Sequence, residues 1–306
     1  MSDCIRIGSV VTFDLLDQAF VLLSSIKEHK KPDTKIEYYL FTKFTPNGYS
    51  CRCFGQFHTL QSDDFRVVAL ACEPFRSQIN VRDTPYFFFI RCFFPRIFKD
   101  FDRILYLDID MVCLRPGIEE LWNMPLDGLY VRAVKDPPIH YSPGCTEDME
   151  NTGNRQYFNA GMMLMNLEKM REDGVADSLA LFCAQPYWGW LKNLHGDQTV
   201  LNYLLKDGVE LIPNRWNNIV FGMANGTRDG FERFYREEGY EKPLDTLNDT
   251  VFLHFAGPDK PWAERSRGCD LVYADIAVEV WNNAVAEYGK KWKETETPGP
   301  KEENGI

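Results

Sequence analysis

Apolar residues fall in short blocks along the first half of the chain, divided by turn residues. Residues 5–11 (IRIGSVV) are mostly apolar with little alternation, the pattern of a strand buried on both faces. Residues 19–26 carry apolar positions at helical spacing, and His29-Lys30-Lys31 then precede Pro32. Cations suit a helix C-terminus and proline stops it. The same reading predicts strands at 36–41, 65–72, 103–107, 129–134, 162–165, 209–212 and 251–255. It predicts helices at 86–98, from Pro116 to about Trp122, and at 167–183, 197–205 and 271–292. Residues 43–64 read as a loop or insertion, 137–153 as a Pro/Gly-rich stretch, and 294–306 as a disordered polar tail. Strands alternating with helices imply βαβ units and a mostly parallel central sheet flanked by helices. No linker divides the chain, so residues 1–293 are expected to form one α/β domain.

Composition narrows the function classes. The 306 residues are 44% hydrophobic and 26% charged, which is globular. A net charge of −11 gives no general basic footprint for phosphate backbones, so nucleic-acid binding is not expected, although anions can still be bound locally. Nine cysteines without a CxxC pair read as reduced thiols. The CxC at Cys51 and Cys53 lacks a second pair that would complete a four-ligand site. Residues 1–20 lack the pattern of a secretory signal, and no stretch of about 18 uninterrupted apolar residues would span a bilayer. A cytoplasmic location is expected.

The chain has no GxGxxG, GxxxxGK[ST], HExxH or GxSxG, so dinucleotide, P-loop, zinc-protease and serine-hydrolase chemistry lose their sequence support. The informative segment is LYLDID, ending in Asp108, Ile109 and Asp110. In extended chain, residues i and i+2 share a side, so both carboxylates can face one cation while Ile109 turns to the core. Such a pair suits a hard divalent ion that bridges to phosphate oxygens. Far along the chain, His254-Phe-Ala-Gly257-Pro-Asp-Lys260 follows an apolar block. It offers an imidazole ligand, a backbone free to approach a phosphate, and a mobile cation. Together these suggest a metal–diphosphate site. Residues 86–94 (YFFFIRCFF) read as core aromatics, whereas Trp188 and Trp190 could stack on a sugar.

Four strings, LYLDIDMVCL, FNAGMMLMNL, HGDQTVLN and HFAGPDKPW, resemble in order and spacing the signature blocks of glycosyltransferase family 8, over roughly residues 5–262. The resemblance implies a GT-A fold and transfer of a hexose, galactose or glucose, from a UDP-sugar with retention of configuration. It implies Mn²⁺ as cofactor, with Mg²⁺ as the alternative, on Asp108, Asp110 and His254. It places Val10, Thr12 and Asp14 at the base and ribose, although this loop departs from the family's commoner Asp or Asn pattern. Arg91, Ile109, Gly257 and Lys260 match donor-binding positions, as do Asn159 and Ala160. Asp136, Asp197 and Gln198 match the positions around the transferred hexose and are the candidate catalytic residues. The expected partners are a UDP-sugar and a glycan, glycolipid or glycoprotein acceptor, with a homodimer left open. Lys290, Lys291, Trp292 and Lys293 are diluted by Glu294 and Glu296, so stable membrane insertion is not expected. The rival readings are a glycogenin-like protein that glucosylates itself and a non-catalytic sugar-nucleotide binder.

Overall fold

The computed structural model describes residues 4–42, 56–80, 86–141, 147–185, 196–219, 228–257, 260–263 and 271–289. Strands β1 (Cys4–Val11), β2 (Lys35–Thr42), β3 (Phe65–Ala71), β4 (Arg103–Leu107), β6 (Val131–Lys135), β7 (Phe158–Asn166) and β8 (Val209–Ile212) form one sheet in the order β3-β2-β1-β4-β7-β6-β8. Pairing is parallel except where β7 runs antiparallel to β4 and β6. This is the mixed α/β architecture with a mostly parallel sheet that the sequence predicts. A second, two-stranded sheet pairs β5 (Met111–Cys113) with β9 (Phe252–His254), antiparallel.

The apolar blocks are core because both sheet faces are covered. One face packs Ile5, Ile7, Leu105 and Leu107 on the helix Leu16–His29. The other packs Tyr106, Met163 and Met165 on Phe93, Phe94 and Leu179. The central strand β7 is buried from Phe158 to Met165, which explains a run without alternation.

Several elements differ from the sequence reading. The stretch at 137–153 holds two short helices, Pro137–Tyr141 and Glu147–Thr152. The helix read across 167–183 is broken into Leu167–Glu172 and Val175–Ala184, because Gly174 between them adopts φ 72°. Residues 86–98 are a 3₁₀ segment, Tyr86–Phe93, followed by one turn of α-helix. β5 and the helix Arg228–Glu237 were not predicted: one is three residues long, the other is predominantly polar. Cys51, Cys53, Trp188, Trp190, Lys290 to Lys293 and the 294–306 tail lie outside the described residues. No helix among the described residues is long and apolar enough to cross a membrane.

The helix Asp197–Leu205 is locked to β7 by one buried amide. Asn202 Oδ1 accepts from Phe158 N at 2.9 Å, and its Nδ2 donates to Phe158 O at 2.9 Å and Gln198 O at 3.0 Å. Asn202→Ala leaves the Phe158 N and O groups unpaired, and urea unfolding should register a loss of about 2–4 kcal/mol. A negligible change would show that the amide is not what holds this helix.

Candidate active site

The sheet positions the site through three backbone closures. Asp108 N donates to Gly161 O at 2.7 Å, tying the residue after β4 to β7. Met111 pairs with His254 across β5 and β9, and Phe255 N donates to Asp110 O at 2.9 Å. A histidine 144 positions beyond Asp110 is thereby set beside it.

The ligand atoms of Asp108, Asp110 and His254 lie within 4.8 Å of one another. Each carboxylate has one committed oxygen. Asp108 Oδ1 accepts from Tyr106 Oη at 2.7 Å and lies 3.3 Å from Arg91 Nη2. Asp110 Oδ2 is paired with Lys260 Nζ at 2.5 Å. The other oxygens face the imidazole: Asp110 Oδ1 lies 3.1 Å and Asp108 Oδ2 3.9 Å from His254 Nε2. Burial would raise the Asp110 carboxyl, but His254 and Lys260 beside it hold it below the usual carboxylate range. Two oxygens and one nitrogen converging on one point fit a divalent cation such as Mn²⁺. Ile109 turns inward and is buried, as the i, i+2 reading predicts.

Arg91 is the hinge of the charge distribution. It is buried, packs over the Tyr106 ring at 4.3 Å and donates to Ala160 O at 2.8 Å. Its Nε lies 2.7 Å from Asp197 Oδ2, off the N–H direction, so that buried oxygen has no hydrogen-bond donor. Burial of a cation would lower its affinity for the proton; the carboxylates of Asp108 and Asp197 more than reverse this. Asp197 is pushed up to about 6, by burial first and then by Asp108, against the pull of Arg91.

Beyond Arg91 the polar groups interlock. Gln198 Oε1 accepts from Ala160 N at 2.9 Å, while its Nε2 donates to Asp136 Oδ2 at 2.9 Å. Asn159 Nδ2 donates to the same Asp136 oxygen at 3.1 Å. These residues line a cleft of about 300 Å³ with Asp108, Asp110, Gly161, Ile219, His254, Ala256 and Gly257. Gly257 adopts φ 91°, a conformation that favours glycine.

A second cleft of about 210 Å³ shares Arg91, Asp108 and Asp110 with the first. Val10, Thr12, Leu15, Phe87, Phe88, Tyr106, Ile109 and Lys260 complete its walls. Asp14 is exposed and is not among its lining residues. The aromatic block is therefore split: Phe89, Phe93 and Phe94 are core, whereas Phe87 and Phe88 face the cleft and Phe88 remains 40% exposed. Tyr106, Gly161 and Ile219 were not legible as site residues. Tyr106 and Gly161 lie inside the LYLDID and FNAG strings, but only contacts reveal their part.

The sequence matches Glycosyl transferase family 8 over residues 11–266, and the chain belongs to that family. It is 25% identical to the lipopolysaccharide 1,2-glucosyltransferase of Escherichia coli K12, over 95% of this chain and 85% of that protein. It is 24% identical to the lipopolysaccharide 1,3-galactosyltransferase of Salmonella typhimurium, over 76% of this chain and 65% of that one. Among solved structures, the bifunctional glycosyltransferase WbbM aligns with a TM-score of 0.71 at 17% identity, covering 96% of this chain and 51% of WbbM. The galactosyltransferase LgtC, solved with donor and acceptor sugar analogues, aligns at a TM-score of 0.59 and 21% identity, covering 94% and 100%. These neighbours share the GT-A fold.

The raised Asp197 makes a pH signature. The neutral acid is favoured in the fold, so its contribution to stability is full below the ordinary carboxylate range and is lost as pH rises through about 6. Carboxyl ¹³C NMR of the metal-free protein should give Asp197 a midpoint near 6, against the ordinary 3.8. An ordinary midpoint would mean that its carboxyl is hydrated rather than buried behind Arg91.

Proposed function

We propose that this chain is a Mn²⁺-dependent retaining hexosyltransferase, with Mg²⁺ able to serve the same site. It takes galactose or glucose from a UDP-sugar and passes it to a glycan or glycoconjugate. In this reading residues 1–293 act as one domain, in the cytoplasm. The observation that carries it is the pair of clefts meeting at Arg91, Asp108 and Asp110. One is walled by apolar and aromatic groups and suits a nucleobase and ribose; the other is lined by acids and amides and suits a sugar. The junction between them is where a diphosphate belongs.

Charge supports this assignment. Among the described lining residues, Asp108, Asp110, Asp136 and Asp197 face Arg91 and Lys260 as permanent cations; with His254 neutral, as a metal ligand must be, a formal surplus of two negative charges is left, which a divalent ion balances. Bound to Asp108, Asp110 and His254, the ion supplies Lewis-acid stabilisation of the departing diphosphate. Lys260, held by Asp110 and by Phe255 O at 2.7 Å, lines the junction and would offer its ammonium to the phosphate oxygens. The backbone at Gly257 borders the same space.

On the sugar side, the carboxylates of Asp136 and Asp197, which line the cleft, are acceptors for hydroxyl groups. Retention requires either a covalent glycosyl-enzyme or attack from the face the diphosphate leaves. Gln198 has its amide fastened at both ends, and an amide oxygen is a weak nucleophile. We therefore assign it to orienting the sugar, with same-face attack and a UDP phosphate oxygen taking the acceptor's proton. The glucosyl- and galactosyltransferase relatives accord with either hexose.

UDP release measured across a panel of UDP-hexoses, with and without Mn²⁺, tests this directly. Turnover should concentrate on UDP-galactose or UDP-glucose and require the metal; no turnover on any sugar nucleotide would leave a binding protein instead. Asp110→Ala should cost at least about a hundredfold in rate with the fold intact. Gln198→Ala should slow turnover roughly a hundredfold without abolishing it, by loosening the donor's position. A glycosyl-enzyme trapped on the wild-type chain would instead support the covalent route.

A further inference from the structure

Asn217 is fully buried and no argument so far has used it. It follows the 3₁₀ turn Asn214–Trp216, and the chain there runs alongside β9. Asn218 N donates to Phe252 O at 2.9 Å, and His254 N to Asn218 O at 2.8 Å. Neighbouring side chains of an extended segment point to opposite sides. Asn218 accordingly reaches Thr246, Thr250 and Tyr235, away from the clefts. Asn217 reaches His254: its Oδ1 lies 2.9 Å from the imidazole Nδ1.

Which amide end faces the ring is fixed by a chain of obligate partners. Gly161 N is a backbone donor and lies 2.9 Å from Asn159 Oδ1. The other end of Asn159 faces the Asp136 carboxylate at 3.1 Å, where only a donor fits. Asn159 is thus locked with its oxygen toward Asn217, whose nearest group, 2.9 Å away, must be the amide nitrogen. That turns Asn217 Oδ1 to the imidazole, so Nδ1 must carry a hydrogen. In the neutral ring the lone pair is then on Nε2, the nitrogen facing Asp108 and Asp110.

Close packing holds the same geometry. A Cβ added at Gly161 would lie 2.3 Å from His254 Cε1 and 2.8 Å from Nδ1, so the ring packs directly on backbone that has no side chain. We propose that Asn217 is a positioning residue for the metal site. It fixes the His254 tautomer and ring angle, and through Asn159 and Asp136 it ties the metal ligand to the sugar side of the cleft. The inference rests on the metal reading given above.

Mn²⁺ binding in the presence of UDP, followed by the electron-spin resonance of the free ion, provides the test. Asn217→Leu, similar in size without polar atoms, should weaken Mn²⁺ affinity by about 10–100-fold. Asn218→Ser breaks the adjacent buried network but spares the ring, so it should lower the melting temperature and leave Mn²⁺ affinity within about threefold, well short of that loss. If wild type binds Mn²⁺ and Asn217→Leu binds it equally well, or if both variants weaken it alike, Asn217 has no special hold on the ligand. If wild type does not bind Mn²⁺, the metal reading itself fails and this inference falls with it. Long-range ¹H–¹⁵N spectra of the wild-type protein with Mg²⁺ and UDP need no variant to fold. They should show His254 protonated at Nδ1; a ring protonated only at Nε2 would overturn the proposal.

Discussion

A buried imidazole edge facing two carboxylates is held together only if something positive stands between or beside them. In this chain Lys260 takes part of that role, its ammonium against Asp110, while Arg91 does the same for Asp108 and Asp197. Taking such charges out of water is costly unless they are paired and hydrogen-bonded. The geometry of Tyr106, Arg91, Lys260 and His254 around the two acids is what makes the cluster tolerable. It leaves one oxygen of each acid and one ring nitrogen directed at a common point.

Rigidity follows from how little of this cluster stands on loops alone. Asp108 is tied to β7 by its backbone, His254 ends β9, and Gln198 opens a helix pinned to β7 by Asn202. Asn159, Ala160 and Gly161 are consecutive residues of β7, and each takes part in a different contact of the site. Asn159 turns to Asp136, the Ala160 backbone holds Arg91 and Gln198, and Gly161 backs His254. A central strand buried on both faces is the least deformable part of an α/β domain, which suits a site whose donors must hold their geometry.

The two clefts differ in character along the same line. Where Phe87, Phe88, Val10 and Leu15 meet, the surface is apolar and planar groups can stack. Where Asp136, Asn159, Asp197 and Gln198 meet, Gln198 and Asn159 both donate to Asp136 and Gln198 accepts from Ala160 N, so the polar groups are fixed in place. Such preorganisation favours one ligand orientation over mere affinity.

Much was legible before any coordinates. Short apolar blocks without alternation gave β1, β4 and the second half of β7, and the acids ending an apolar block gave Asp108 and Asp110. Both follow from local chemistry: burial on two faces removes alternation, and i, i+2 carboxylates share a side. Four strings in order gave the family and, through it, Arg91, Asp136, Asp197 and Gln198 as candidates. Tertiary structure alone decided that β5 pairs with β9, that Phe87 and Phe88 leave the core to wall a cleft, and that Asp14 stays in solvent. It alone decided that Asn217 faces His254. A three-residue strand and a single buried amide carry almost no periodic signal; their meaning is set by partners that are distant in sequence, which only the closed chain brings within reach.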